Sequence, residues 1–159
     1  MWRLFAGIVL AVAAIQATPP PSESTRFEPF PQGLPTVNAV EFGPDGDTMY
    51  VALFLEAVEK SQGREPVDGA PEIALYQSRR ETSAWSQPRL LPFSGKHKDY
   101  EASLSPDGLT MIFNSWRPLP DGTAVTNQKN NLWMVRRAGE GWGSPVYLGA
   151  INRLETEES

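Results

Sequence analysis

Apolar residues in this chain come in short bursts separated by turn-forming clusters, and the same layout occurs twice. Residues 39–54 read AVEFGPDGDTMYVALF, and residues 100–117 read YEASLSPDGLTMIFNSWR. In each, a short run precedes a Pro-Asp-Gly turn and a more apolar run follows it. Proline presets φ at the first turn position, aspartate bonds nearby backbone N–H groups, and glycine accepts positive φ. Pro44-Asp45-Gly46 and Pro106-Asp107-Gly108 therefore each predict a hairpin. The runs TMYVALF and TMIF are apolar at consecutive rather than alternate positions, which predicts strands covered on both faces.

Superposing the two turns gives an offset of 62 residues, whereas Arg79-Arg80 and Arg136-Arg137, Trp85 and Trp142, and Pro88 and Pro145 are each 57 apart. The difference falls between the second and third strands, where the first copy has the longer loop (residues 55–71 against 116–130). Each copy is expected to form four short strands. In the first these are 39–43, 48–54, 72–78 and 87–91; in the second, 101–105, 109–115, 131–136 and 145–148. Residues 55–60 are long enough for one helical turn only. Four-stranded antiparallel units used in series predict an all-β fold of β-propeller blades, because stacked neighbours bury one another's faces. Blade one spans about 37–94 and blade two about 95–152. The tail 153–159 reads as the start of a third, with Thr156-Glu157-Glu158-Ser159 aligned on Tyr100-Glu101-Ala102-Ser103.

Ahead of the repeats, residues 1–17 carry Arg3 and then an unbroken apolar run over residues 4–15. That run is shorter than the ~20 residues that span a bilayer. A basic start, short apolar core and small residues at the end describe a secretory signal peptide, cleaved after Ala14 or Ala17. Residues 18–36 hold six prolines and read as an extended linker. The expected location is the periplasm or the extracellular space, with no stable membrane span once the signal is removed. Apolar residues at 40% and charged residues at 21% fit a folded chain. A net charge of -5 argues against a general grip on nucleic acid, which needs cations to neutralise phosphates. The absence of cysteine removes disulfides, thiolate chemistry and cysteine-ligated zinc.

The segment SPDGLTMIFNSWR, followed by NLWMVRRAGEGWGSPVYLGAIN, resembles the TolB-type family of WD-like β-propeller repeats found in bacterial exported proteins. In that family a Ser-Pro-Asp-Gly turn links the first two strands of a blade. An aromatic-containing third strand follows, then Arg-Arg, a Gly-rich turn and Trp-x-x-Pro-x-x-Leu. The second copy follows the pattern nearly throughout. The first departs from it with Gly43 in place of the serine and Ser83-Ala84 in place of the glycines. The resemblance covers about residues 38–152. It implies a non-enzymatic module acting by protein–protein or ligand binding, without a cofactor. A closed propeller has four to eight blades, so two blades imply a fragment of a longer protein, or further blades or chains that complete the ring. Open faces would otherwise invite aggregation. The alternative is part of a propeller hydrolase acting on carbohydrate or peptide, with its catalytic residues in the missing blades.

Candidate chemistry is sparse. His97 is the lone histidine, in a basic loop, so no Ser-His-Asp set can be assembled around it. Asp45-Gly46-Asp47 offers too few oxygens for calcium. Asp99 and Glu101 are a carboxylate pair that could serve glycoside hydrolysis, but glycosidase pairs normally come from different segments, and the first copy has Asn38 and Ala39, not an acid, at the positions of Tyr100 and Glu101. Ser105 to Thr110 is one residue short of a sialidase-type Asp-box. No residue is assigned to catalysis, a cofactor or a metal. Trp85 and Trp142 recur and read as packing anchors. The two Arg-Arg pairs read as charged strand exits that keep an edge from pairing, or as a basic stripe for an anionic partner. Trp116 does not recur. With Asp99 and Glu101 it makes up the candidate ligand contacts.

Overall fold

The computed structural model describes residues 37–82, 84–124 and 130–152. The expected signal peptide, linker and start of a third unit fall on residues outside the described ones. Within them the chain is mostly strands, arranged as two curled antiparallel sheets. Sheet one sets β1 (Val37–Phe42), β2 (Thr48–Phe54) and β3 (Ile73–Glu81) side by side. The short strands β4 (Ala84–Trp85) and β5 (Arg89–Leu90) both pair with β3, and α1 (Leu55–Ser61) joins β2 to β3. Sheet two repeats this plan with β6 (Asp99–Leu104), β7 (Thr110–Ser115) and β8 (Asn131–Ala138). Here β9 (Gly141–Trp142) and β10 (Val146–Tyr147) pair with β8, and α2 (Gly149–Asn152) follows.

Local chemistry explains the hairpins. The Gly46 N–H donates to Gly43 O at 3.0 Å and the Gly108 N–H to Ser105 O at 2.8 Å, with both glycines at φ +68. In the first turn Asp45 Oδ1 accepts the Thr48 N–H at 2.9 Å; in the second, Ser105 Oγ accepts the Thr110 N–H at 3.0 Å. One copy thus uses its aspartate where the other uses its serine, which accounts for Gly43 at the serine position. β2 runs over the expected residues. The fourth strand does not: in each copy it is two two-residue pieces. Pro88 and Pro145 lie between the pieces and have no N–H to give to the ladder. Between them the Ser86 N–H donates to Arg79 O and the Gly143 N–H to Arg136 O, each at 2.8 Å. The third strands run past their expected ends, to Glu81 and Ala138, because β4 and β9 extend their ladders.

The two sheets stack in one sense. On β2, Tyr50 and Ala52 face sheet two with Ile73 and Leu75, and they pack there against Met111, Phe113, Trp133 and Val135. Met49, Val51 and Leu53 face the other way with Ala74 and Tyr76. Met111 and Phe113 stand at the repeat positions of Met49 and Val51, so the same side of each sheet points in the same direction. β2 is covered on both faces, as its unbroken apolar run predicts. β7 is not: Met111 and Phe113 are buried, but Ile112 is 37% exposed. The row Ser103, Ile112, Met134 and Val146 crosses the far side of sheet two in register, with Val146 54% exposed. Among the described residues no second sheet lies on that side.

Candidate functional site

Both long loops leave the same end of the sheets, one after β2 and one after β7. At that end β6 begins beside the end of β7, with Tyr100 opposite Asn114 and the Trp116 N–H donating to Lys98 O at 3.0 Å. This register brings Lys98, Tyr100, Trp116 and Asn130 together. Trp116 Nε1 donates to Asn130 Oδ1 at 2.9 Å, and the Tyr100 hydroxyl donates to the same oxygen. The Lys98 ammonium lies 4.6 Å from the Trp116 ring centre and 5.8 Å from that of Tyr100. It also pairs at 2.7 Å with Glu72, the residue just ahead of β3, so the cluster reaches sheet one. Both rings are half-buried, and burial raises the Tyr100 phenol above its ordinary pKa. The result is a pair of oriented aromatic faces with an amide and an ammonium between them. Such a surface stacks and hydrogen-bonds; it offers no nucleophile with a base.

Glu101 is exposed beside this cluster and accepts from Asn114 Nδ2 at 2.6 Å. It lies within the register irregularity of β6 between Tyr100 and Ser103, at φ +49. A non-glycine residue in the left-handed region carries strain of roughly 1–3 kcal/mol, which surrounding structure must hold.

Asp99, the third candidate contact, is placed elsewhere. It is 0% exposed and accepts three hydrogen bonds: from Ser94 Oγ at 2.8 Å, Ser115 Oγ at 2.6 Å and Arg117 Nη2 at 2.8 Å. Ser94 Oγ in turn accepts the Leu75 N–H at 3.0 Å, so the network ties β3 to β6 and β7. The Arg117 guanidinium lies 5.0 Å from the Phe113 ring centre and 5.2 Å from that of Trp133. Asp99 and Glu101, two residues apart, thus end one buried and one exposed. The β6 irregularity turns Glu101 out while Asp99 stays between the sheets. His97 lies near this network. Burial first, then the Arg117 cation, holds its pKa below the ordinary histidine value.

The arginine pairs do not form a continuous stripe. Arg80 lies 4.9 Å from the Trp85 ring centre and Arg137 lies 4.2 Å from that of Trp142, each capping a buried tryptophan. Arg137 also donates to the Tyr50 hydroxyl across the sheets. Arg79 and Arg137 line a cleft of about 550 Å³ between the two Pro-Asp-Gly turns, where Asp45, Asp107 and Glu140 more than offset their charge. Burial works against the Asp45 charge. Hydrogen bonds from the Thr48 hydroxyl, the Thr48 N–H and the Asp47 N–H outweigh it and hold the carboxyl below its ordinary pKa. The roles of Lys98 and Asn130 had no signal in the sequence, because neither residue stands in a repeated motif.

Among the described residues no group of three or more acids or histidines is placed to hold a metal ion, and no helix is long and apolar enough to cross a membrane. No protein-family model, curated protein or solved structure matches the chain.

Proposed function

We propose that this chain is an exported, non-enzymatic binding module whose two sheets are consecutive blades of an incomplete β-propeller, of the TolB-like kind that its repeats resemble. The observation that carries the reading is the shared stacking sense of the sheets. Tyr50 and Leu75 of sheet one are buried beneath Met111, Phe113, Trp133 and Val135 of sheet two, and the counterparts Ile112 and Leu132 face outward where a next unit would lie. A propeller is this one contact repeated around an axis. Its binding surface is the cluster of Lys98, Tyr100, Trp116 and Asn130, at the end from which both long loops leave. Oriented aromatic faces flanked by amide and charged groups suit an extended peptide or an oligosaccharide.

An array of soluble peptides and oligosaccharides tests this reading. The wild-type chain should retain members of the array. Trp116→Ala should weaken that binding about 30-fold, the effect of losing an aromatic anchor of about 2 kcal/mol. Equal binding by Trp116→Ala, or no binding by the wild type, would sink the contact-surface reading. Cleavage of array members would favour the hydrolase alternative.

A further inference from the structure

The two sides of sheet one are closed by different means. The side toward sheet two is closed by another sheet. The opposite side, carrying Met49, Val51, Leu53, Ala74 and Tyr76, is closed by Leu55 and Val58 of α1 together with Trp85. Val58 is itself fully buried there, and the Glu59 charge of α1 lies close enough to act on the Tyr76 hydroxyl. In the second unit the same side, carrying Met111 and Phe113, is met by sheet one instead. α1 therefore stands where a preceding sheet would stand. This gives a physical meaning to the unequal offsets of the repeat, since the longer loop is the one that supplies the helix.

The far side of sheet two has no such cover. Ile112 is exposed and Leu132 half-buried, whereas their sheet-one counterparts Tyr50 and Leu75 are buried under sheet two; beside them Met134 and Val146 put apolar side chains where sheet one has Gln77 and Arg89. The junction after the sheet is nonetheless prepared in the same way. Asn152 Oδ1 accepts the Leu132 N–H at 2.8 Å, as Ser94 Oγ accepts the Leu75 N–H at 3.0 Å. In the first unit it is Ser94 that reaches onward to Asp99 of the next sheet.

From these observations we infer that α1 is an end cap: the stack is closed at sheet one and accepts a further sheet of the same repeat only on the Ile112–Met134–Val146 side. The inference rests on the blade reading above and changes it in one respect: while α1 is seated the row of blades stays open, and a ring closes only if α1 leaves that side. The incoming sheet presents large apolar side chains at the positions of Met111, Phe113, Trp133 and Val135. Copies of this chain do not join head to tail while α1 is seated, because each copy's receiving side is already filled.

Sedimentation velocity on the purified chain tests this. The wild type should show no open-ended growth with concentration. Val58→Asp, which unseats α1, should give a series of oligomers that lengthens with concentration, and adding Ile112→Lys with Val146→Lys should return a single small species. Oligomers that persist in the triple variant, or a folded Val58→Asp that keeps the wild-type size, would overturn the cap. A wild-type dimer abolished by Ile112→Lys with Val146→Lys would overturn the choice of occupant, since the open side would then meet its own copy. Because Val58→Asp can fail to fold, thiol labelling of single-cysteine variants gives a second measure in a chain without native cysteine. Ile112→Cys should label at the rate of a free thiol, with Val51→Cys and Met111→Cys slower by about a hundredfold or more, as protected core sites are. Fast labelling at Val51→Cys alone would overturn the cap and leave the blade reading standing. Fast labelling at Met111→Cys would overturn the blade reading itself.

Discussion

Replacing Asp99 by asparagine removes one charge and little volume, and should be among the most damaging conservative changes in this protein. The carboxylate is fully buried and its partner Arg117 nearly so, with the guanidinium held against the rings of Phe113 and Trp133. Without Asp99 that cation has no counter-charge, and the new amide presents N–H donors to a site that already holds Ser94, Ser115 and Arg117 as donors. Breaking a buried pair from one side costs about 3–5 kcal/mol. With a urea slope of about 1–3 kcal/mol/M, the unfolding midpoint should fall by at least about 1 M. The first unit shows the apolar equivalent. At the repeat positions of Asp99, Ser115 and Arg117 it has Val37, Leu53 and Leu55, which belong to the apolar cluster on the α1 side of sheet one. The triple replacement Asp99→Val, Ser115→Leu and Arg117→Leu should therefore lose much less than Asp99→Asn alone, since exchanging a whole buried ionic set for apolar side chains is often near neutral. The assay is urea unfolding followed by tryptophan fluorescence. A loss below about 1 kcal/mol for Asp99→Asn, or a triple variant less stable than the single one, would refute the reasoning.

The two turn glycines share φ +68 but differ in surroundings: a Cβ at Gly46 would meet open space, whereas one at Gly108 would lie 2.9 Å from Pro44 Cγ. Gly46→Ala should cost about 1 kcal/mol in thermal unfolding and Gly108→Ala clearly more, and equal losses would count against the close approach of the turns. Burial first, then the Glu59 charge, pushes the Tyr76 phenol from 10.0 to about 12. A folded pKa above the unfolded one gives stability that is complete below pH 10 and is lost as pH rises through about 12, so Tyr76→Phe should flatten the fall in urea midpoint across that window. An unchanged fall in Tyr76→Phe would place the alkaline sensitivity in another group.

Much of the fold was legible because its signals are local. Proline, aspartate and glycine fix the hairpins through their own dihedrals and hydrogen bonds, and β2 occupies the residues its apolar run marks. The fourth strands were not legible as broken, although Pro88 and Pro145 were in plain view, because a proline tells that a ladder bond is missing and not where the chain resumes pairing. The uncovered side of sheet two also left a trace. The run TMIF continues into Asn114, and Ile112 with Asn114 occupies the side that Tyr50 and Ala52 fill in the first copy. A polar residue in that alternation marks a side exposed to water or to a partner.

Comparison of the copies divides packing from specialisation more sharply than either copy alone. Where they agree, the shared residue makes the same contacts twice, as the turn glycines and the arginines over Trp85 and Trp142 do, and the backbone bond at Ser86 is kept at Gly143 although the residue changes. Where they differ, the difference follows from what lies against each sheet. Leu55 faces α1's own apolar cluster, and its counterpart Arg117 faces the sheet junction and needs Asp99. Phe54, half-buried against the core, becomes Trp116, turned toward Asn130 and Lys98 at the surface. Trp116 stood out as a candidate because it has no matching tryptophan, and the structure sets it beside Lys98 and Asn130 at the surface. Asp99 was misplaced by the same test, since an unmatched acid can equally answer an unmatched arginine. That pairing lies eighteen residues apart in the chain and only the register of β6 on β7 brings it together. An unpaired position in a repeat is therefore a pointer to function only after its unmatched neighbours in space have been counted.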